Sequence, residues 1–437
     1  MKTVKFLFSA GKQATLLAFL ILLSFVGCDD GSHQLGLPPQ SGTPPSPPIV
    51  TNITNLPGAA IIQFEAPAEY DILTITAAYV VNDIEYEVST SIFNNELRVE
   101  GFGTTNAYTV TLRTVNTSRL ESTTVTVTVN PLTPPIHTIF ESLQARDSWG
   151  GLRLSWENAY RNNIMLNVEV QDEGGFWTTV DNFFTTERYG RGTIRGLDPV
   201  ETNYRITVFD RWGNVSDHFL FTGTPWREEA LCKSRFREVI RLPGDAFVSP
   251  AAMTVSMIWS NDRNTSSQAF HTRNASAAEI AALPPEAPQQ NMETGVTFDM
   301  GQIAELSRFR FFQRTGGMAN PQFAFQHNNL MRYSMYGALE ITPQMRATGS
   351  MAYWTHLVDV VAHRPSGNPP GGIRTREDLD FALAGEEIEF LDADGNSIRT
   401  PPVRFIRIVM KGPTWGGGTV KQIQEIDFWG DILETIN

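Results

Sequence analysis

The chain has 437 residues, 41% of them hydrophobic and 19% charged, with a formal net charge of −13. This balance is typical of globular domains, and the length predicts several domains of roughly 100–200 residues each. The acidic charge argues against nucleic acid as a partner, because neutralising phosphates requires a basic surface.

Residues 1–27 have the pattern of a signal peptide. Three early lysines precede an apolar run over residues 14–26, which at about 1.5 Å per residue is too short to cross a hydrocarbon core of roughly 30 Å. The junction Phe25-Val26-Gly27-Cys28 resembles a bacterial lipobox, although that family prefers Leu where Phe25 stands. The resemblance implies acylation of Cys28 and a lipid anchor in the outer membrane. The alternative is a cleaved secretory peptide.

The segment after the signal peptide is predicted to be a tether. Asp29 and Asp30 resemble the surface-export signal of lipoproteins, which implies exposure on the cell surface. Residues 28–48 are rich in Gly, Ser and Pro and hold too little apolar surface to fold. The other cysteine, Cys232, is predicted to be a partly buried, inert thiol. Two distant cysteines do not make a disulfide framework.

An internal repeat follows the tether. Residues 105–122 and 202–217 each begin with Thr-Asn and continue with a Tyr, an alternating strand and an Asn-containing turn. With Trp156 in a preceding alternating strand, these segments resemble fibronectin type III or immunoglobulin-like sandwiches, in which Tyr108, Tyr204 and Trp156 would be core residues. We place one such module at residues 49–131 and the second at residues 132–225.

Residues 226–437 contain short runs of period-two alternation, which predict strands. Four stretches, 296–312, 333–340, 403–410 and 425–431, resemble in order the strand motifs of discoidin-like (coagulation factor 5/8 type C) domains. This resemblance implies an eight-stranded, galactose-binding-like jelly roll. The predicted fold class is therefore all-β, with two tandem sandwiches followed by a discoidin-like domain.

The stretch VTFDMG at 296–301 begins the first of these motifs. Its alternation predicts a strand that buries Val296, Phe298 and Met300 and ends at Gly301. We expect Asp299 to hydrogen-bond nearby backbone rather than to belong to a functional site.

The whole order of segments resembles surface lipoproteins of polysaccharide utilisation loci. The resemblance implies a protein that captures polysaccharide or oligosaccharide beside glycan importers and glycoside hydrolases. No HExxH, paired CxxC, GxSxG or Walker motif occurs, so a non-catalytic binding protein is expected. The carboxylates within residues 385–397 keep a glycan-acting enzyme open as an alternative. Their segment 392–396, however, is typical of a hairpin turn. A protein-binding adhesin or scaffold is the other alternative.

The resemblance to discoidin-like carbohydrate modules also implies a structural calcium ion. The matching ligands would be Asn261, Asp262 and Glu425, although Asn-Asp-Arg stands where the family has Asp-Gly. The alternative is a capped loop with a solvated Asp262.

Sugar binding requires an aromatic face and polar groups that bind hydroxyls. The family places these groups in loops at one end of the sandwich. The loop residues with suitable side chains are Phe270, His271, Trp354, His356, Arg374 and Trp415. For Trp415, packing in the core is as well supported as sugar binding. For Trp354, packing in the core is favoured.

Overall fold

A computed structural model describes residues 42–249, 253–263, 269–288, 292–316 and 321–436. The predicted signal peptide, the acylation site Cys28 and most of the tether lie outside these residues. The described chain forms two compact units, one of residues 42–135 with 211–214 and one of residues 136–210 with 215–436. Both are built from antiparallel strands, which confirms the predicted all-β class. Within the described ranges, no helix is long and apolar enough to cross a membrane.

The first unit contains a sandwich of seven strands. They are β1 (Ile49–Leu56), β2 (Ala59–Glu65), β3 (Ile72–Val81), β4 (Ile84–Thr90), β5 (Glu96–Glu100), β6 (Tyr108–Asn116) and β7 (Val125–Val129). The strand order is β1-β2-β5 in one sheet and β4-β3-β6-β7 in the other. Alternate residues such as Ile62 and Phe64 on β2 and Val110 and Leu112 on β6 are buried and form the core. Tyr108 packs against that core, as predicted.

The second unit begins with a similar sandwich. It consists of helix α1 (Pro135–Ser142) and strands β8 (Gln144–Ser148), β9 (Gly151–Glu157), β10 (Ile164–Gln171), β11 (Trp177–Thr185), β12 (Tyr189–Thr193), β13 (Thr202–Asp210) and β14 (Phe219–Gly223). Its sheets have the orders β12-β9-β8 and β11-β10-β13-β14. Trp156 and Tyr204 are buried in the core, which confirms their predicted role.

The rest of the second unit is a larger β structure. Its strands are β15 (Glu229–Ala230), β16 (Arg237–Glu238), β17 (Phe247–Val248), β18 (Phe270–Arg273), β19 (Glu293–Phe312), β20 (Arg332–Ala338), β21 (Thr355–Val361), β22 (Glu386–Glu389), β23 (Val403–Lys411), β24 (Gln422–Ile423) and β25 (Glu425–Thr435). Its helices are α2 (Ala277–Ala281), α3 (Pro343–Thr348) and α4 (Arg376–Ala384), with 3-10 turns at Lys233–Arg235, Val255–Trp259 and Met351–Tyr353. The main sheet has the order β15-β25-β19-β23-β20-β21, with β16 and β22 also paired to β19, and a smaller sheet has the order β17-β18-β24.

Strand β19 contains the VTFDMG stretch and differs in one respect from its prediction. Val296, Phe298 and Met300 are buried as expected. The strand does not end at Gly301, however, but continues to Phe312. Its main partner changes from β23 before the glycine to β25 after it, although Ala304 still pairs with Val403 of β23. Gly301 has φ +64°, and a Cβ there would lie 2.3 Å from the Arg235 carbonyl oxygen, so glycine permits the strand to bend where a second segment crosses it.

Asp299 makes the predicted backbone contact and one that the sequence did not suggest. Its Oδ1 accepts the Gly301 N–H at 2.7 Å. Arg404 on β23 also binds both carboxylate oxygens, at 2.9 and 2.6 Å. The side chain is therefore a structural clamp between two strands.

Candidate functional site

Three loops of the second unit are hydrogen-bonded to one another: residues 321–330, 362–375 and 412–418. The Trp415 N–H donates to the Asn329 carbonyl at 3.0 Å, and the Gly416 N–H donates to the His327 carbonyl at 2.7 Å. A Cβ on Gly416 would lie 2.5 Å from that same His327 oxygen, so the glycine allows the two loops to approach closely.

The third loop, residues 362–375, is joined to the first through Arg374, and its own shape is held by Arg364. Arg374 donates from Nη1 to the carbonyls of Pro321 and Gln322, at 3.2 and 2.5 Å. The buried Arg364 binds Asp378 through Nε at 2.9 Å, and its other nitrogens donate to four carbonyls of its own loop. Although burial opposes it, hydrogen bonds from Ser366 and Arg364 lower the pKa of Asp378 to about 2. This carboxylate is therefore charged at neutral pH and keeps the arginine in place.

Trp415 is 7% exposed and belongs to a small apolar cluster beneath these loops. Its ring meets Phe325 edge to face, with the ring centres 5.3 Å apart, and the guanidinium of Arg364 lies 5.7 Å from the ring centre. The indole Nε1 has no hydrogen-bond partner among the described residues. This nitrogen is buried, so the ring offers a ligand only a small exposed edge.

Two adjoining pockets open between the loops. The first, here the Trp415 groove, has a volume of about 480 Å3 and is lined by Gln326, His327, Pro370, Gly371, Trp415, Gly416 and Gly417. The second, here the Arg374 pocket, has a volume of about 380 Å3 and is lined by Pro321, Gln322, Gln326, Gly371, Gly372, Ile373, Arg374 and Leu379. Both share Gln326 and Gly371, so they form one continuous surface. Each volume lies within the roughly 300–1,000 Å3 of typical ligand pockets.

The chemistry of this surface suits a neutral polyol. Gln322, Gln326 and Arg374 supply planar hydrogen-bonding groups, and Ile373, which is 85% exposed, supplies an apolar rim. Neither pocket is lined by a carboxylate among the described residues. The paired acids that a glycosidase requires are therefore not found on this surface.

The sequence prediction found only part of this surface. Trp415 and Arg374 are brought together, whereas Gln322, Gln326 and His327 were not among the candidates. Their stretch, residues 321–329, combines aromatic, amide and imidazole side chains between two strands, a composition that could have drawn attention to it. Sequence spacing gave no indication that it would meet residues some fifty and ninety positions further along the chain.

The other candidate residues lie elsewhere. Trp354 is buried in an apolar cluster with Leu242, Ile341, Met345 and Phe405, consistent with the core role that was favoured. His356 is an exposed residue on β21 that faces Asp359, with Nε2 and Oδ2 3.3 Å apart. Neither side chain lines the Trp415 groove or the Arg374 pocket.

Phe270 and His271 occupy the smaller sheet. Phe270 is fully buried in the core, so its ring has no face available for a sugar. His271 is partly buried, its Nδ1 lies close to the Ser249 carbonyl, and its Nε2 lies 3.2 Å from the Asn328 amide nitrogen. Burial lowers the pKa of His271, so the imidazole is neutral at pH 7. Through Asn328 it contacts the 326–329 turn.

The residues expected to bind calcium do not fit that ion. The Asn261 N–H donates to both carboxylate oxygens of the fully buried Glu425, at 3.2 and 3.1 Å. The ammonium of Lys233 contacts the carboxylates of Glu425 and Asp427, so the protein itself supplies a cation where calcium was expected. The Asp262 carbonyl accepts a hydrogen bond from Gln424 at 2.8 Å. Over the described part of the chain, no group of three His, Cys, Asp or Glu could hold a metal.

The acidic segment forms the predicted turn. The Gly395 N–H donates to the Asp392 carbonyl at 3.0 Å, and Asp392 Oδ1 caps the N–H groups of Asp394 and Asn396. Of the preceding glutamates, Glu387 is paired with Arg308 and Arg310. Cys232, predicted to be partly buried, is instead exposed, immediately before the short 3-10 turn Lys233–Arg235.

Three domain-family models match the chain. Each is described as a domain of unknown function: DUF4959 over residues 45–131, DUF5126 over residues 132–234 and DUF5000 over residues 259–430. No curated protein matches the sequence.

Two solved structures show the extent of the structural likeness. A SusE-like protein, BT2857, is 27% identical over 69% of this chain and 100% of its own, with a TM-score of 0.41. A two-domain fibronectin type III segment of chicken tenascin is 13% identical over 42% of this chain and 99% of its own, with a TM-score of 0.21. Both TM-scores are below 0.5.

Proposed function

We propose that the chain is a cell-surface glycan-binding lipoprotein whose Trp415 groove and Arg374 pocket hold a polysaccharide or oligosaccharide. The observation that supports this most is the meeting of Trp415 and Arg374 on one continuous surface with Gln322 and Gln326. An indole edge, an apolar rim and planar polar groups together suit a ring that carries several hydroxyls.

The cellular setting of this proposal rests on the sequence. The lipobox-like residues before Cys28 would direct acylation of that cysteine, which would anchor the protein in the outer membrane, and the tether that follows would separate the folded units from the membrane. The discoidin-like motifs and the order of segments suggest partners among glycan importers and glycoside hydrolases. Many copies on one membrane would strengthen the binding of a long polysaccharide through avidity.

A glycan array probed with the full chain, displayed in many copies, tests the proposal. We expect retention of one class of polysaccharide, followed by weakening of at least about tenfold in Gln326→Ala and Arg374→Gln. Because Trp415→Ala could disturb the apolar cluster, Trp415→Phe provides a second variant that retains a packed ring. His356→Ala, which changes an exposed residue outside both pockets, is the matched control and should bind normally.

Two results would overturn the proposal. The first is a failure to retain any glycan on the array, which would favour a protein-binding scaffold. The second is turnover of a polysaccharide that is lost in Glu387→Gln, which would favour an enzyme with its site in the acidic segment.

A further inference from the structure

A second polar pocket lies on the three-stranded sheet of the second sandwich. In that sheet Arg146 on β8 is directly opposite Arg153 on β9, and Arg191 on β12 is opposite Ser155 on β9. Directly paired residues project from the same face of a sheet, so three arginines share one face. Like charges directly opposite each other destabilise a sheet, so the cross-strand pair of Arg146 and Arg153 has a cost in isolation.

The turn at residues 392–396 closes this pocket from above. A Cβ on Gly395 would lie 2.0 Å from Arg191 Nη1, so the guanidinium lies directly against the glycine. The enclosed space, here the arginine pocket, has a volume of about 240 Å3 and is lined by Gln144, Arg146, Arg153, Leu154, Ser155, Arg191, Asp394, Gly395 and Asn396. Its size suits one charged group together with part of a sugar ring.

The positive charges of the pocket are only partly neutralised. Arg153 is bound by Glu389 at 2.7 Å and by the Thr193 hydroxyl at 2.7 Å. Arg146 and Arg191 are exposed and form no ion pair with a carboxylate in the described part of the chain. One lining residue, Asp394, is acidic. A net positive pocket is thus maintained in a chain whose formal charge is −13.

A neighbouring groove extends the same surface. It has a volume of about 530 Å3 and shares Gln144, Ser155 and Arg191 with the arginine pocket. Its lining includes Tyr189, which is 68% exposed, together with Glu141 and Glu157. The guanidinium of Arg188 lies 5.3 Å from the centre of the Tyr189 ring, so the opposite face is the one that a sugar ring would meet. An aromatic face beside a cationic pocket is suited to a chain of sugar rings that carries acidic substituents.

We propose that the arginine pocket binds the acidic group of an anionic saccharide, with Tyr189 in contact with an adjoining ring. Arg146 and Arg191 present planar guanidinium forks, which match the two oxygens of a carboxylate or of a sulfate ester. This site is separate from the Trp415 groove and does not depend on glycan binding there.

Calorimetric titration of the full chain with three tetrasaccharides tests this inference: an oligogalacturonate, a sulfated neutral chain and its unsulfated counterpart. We expect at least one acidic probe to bind and the unsulfated chain to bind at least about tenfold more weakly. The affinity for the acidic probe should fall at least about tenfold in Arg146→Gln and in Arg191→Gln. Arg161→Gln, which removes an exposed arginine of the same sandwich outside the pocket, is the matched control.

The outcomes separate the possible sources of the signal. Preference for the galacturonate or for the sulfated probe identifies the acidic group that is recognised. The inference fails if neither acidic probe binds, if inorganic sulfate binds as tightly as both probes, or if the Arg146 and Arg191 variants bind normally. It also fails if Arg374→Gln alone abolishes binding of the acidic probe, because the site would then be the Arg374 pocket.

Discussion

Arg364 and Asp378 form an ion pair in which both side chains are almost completely buried, with 2.9 Å between Nε and Oδ2. The arginine also donates to the carbonyls of Asn368, Pro369, Gly372 and Ile373. These bonds satisfy backbone carbonyl groups of a loop that is rich in proline and glycine and belongs to no helix or strand. The pair therefore sets the shape of the loop that lines both the Trp415 groove and the Arg374 pocket.

We expect Arg364→Met to lower the free energy of unfolding by about 3–5 kcal/mol, because it leaves a buried carboxylate without its partner. Urea unfolding measures this change. Arg364→Lys keeps the charge but cannot reach the same set of carbonyls, so it should fold and yet bind glycan more weakly. The double variant Arg364→Met with Asp378→Asn should recover part of the lost stability. Equal stability of the parent and Arg364→Met would show that the ion pair does not hold this loop.

The low pKa of Asp378 predicts that the free energy of unfolding decreases at low pH. Its pKa in the folded protein is about 2, below its ordinary value, so the folded state binds fewer protons than the unfolded state between the two values. The stabilisation is therefore complete above about pH 4 and is lost as the pH falls towards about 2. The difference in unfolding free energy between the parent and Asp378→Asn should be constant from pH 5 to 7 and should shrink below about pH 4. A difference that stays constant down to pH 2 would contradict this assignment.

The position of the Lys233 ammonium predicts that calcium does not change the stability of the second unit. Since its ammonium already contacts Glu425 and Asp427, adding Ca²⁺ or a chelator should leave the thermal midpoint of the parent unchanged. Calorimetric scans with and without EDTA measure this. A rise in the midpoint with Ca²⁺ would show that the ion displaces the lysine.

The same cluster predicts a pH-dependent defect in Lys233→Met. Burial raises the pKa of Glu425 despite its contact with Lys233, and removal of the ammonium should raise it further. A carboxyl with a raised pKa contributes its stability below its ordinary pKa and loses it as the pH rises through the folded value. Urea unfolding should therefore show a large loss of stability at pH 7, of about 3–5 kcal/mol, and a smaller one at about pH 4. A loss of equal size at both pH values would contradict this reasoning.

The regular elements were the part of the fold that sequence could predict. Period-two alternation located Val296, Phe298 and Met300 because each side of a strand faces one environment. The same pattern could not show that β19 continues past Gly301. A glycine after an alternating run commonly marks the end of a strand, whereas here its positive φ lets the strand bend and continue. Composition likewise favoured a turn at residues 392–396, which local hydrogen bonds confirm.

The candidate site was less predictable because its members meet only through the tertiary fold. Trp415 and Arg374 were both candidates because each is a loop residue with a side chain suited to sugar binding. Nothing local showed that both would adjoin Gln326, or that Phe270 would point into the core. The Lys233 ammonium at Glu425 joins residues far apart in sequence, so the calcium prediction could not take it into account.

Lys421 gives a final prediction, because its fully buried side chain lies beneath the loop that carries Trp415. Its ammonium donates to the Gly412 carbonyl at the start of that loop. Burial lowers the pKa of Lys421 to about 8, so between about pH 8 and 10 the unfolded chain binds more protons than the folded one. The stability of the parent should therefore rise with pH in that range relative to Lys421→Met, by about 1–3 kcal/mol. Urea unfolding of both proteins at several pH values measures the difference, and a difference that is flat or falls with pH would show that this lysine stays charged in the fold.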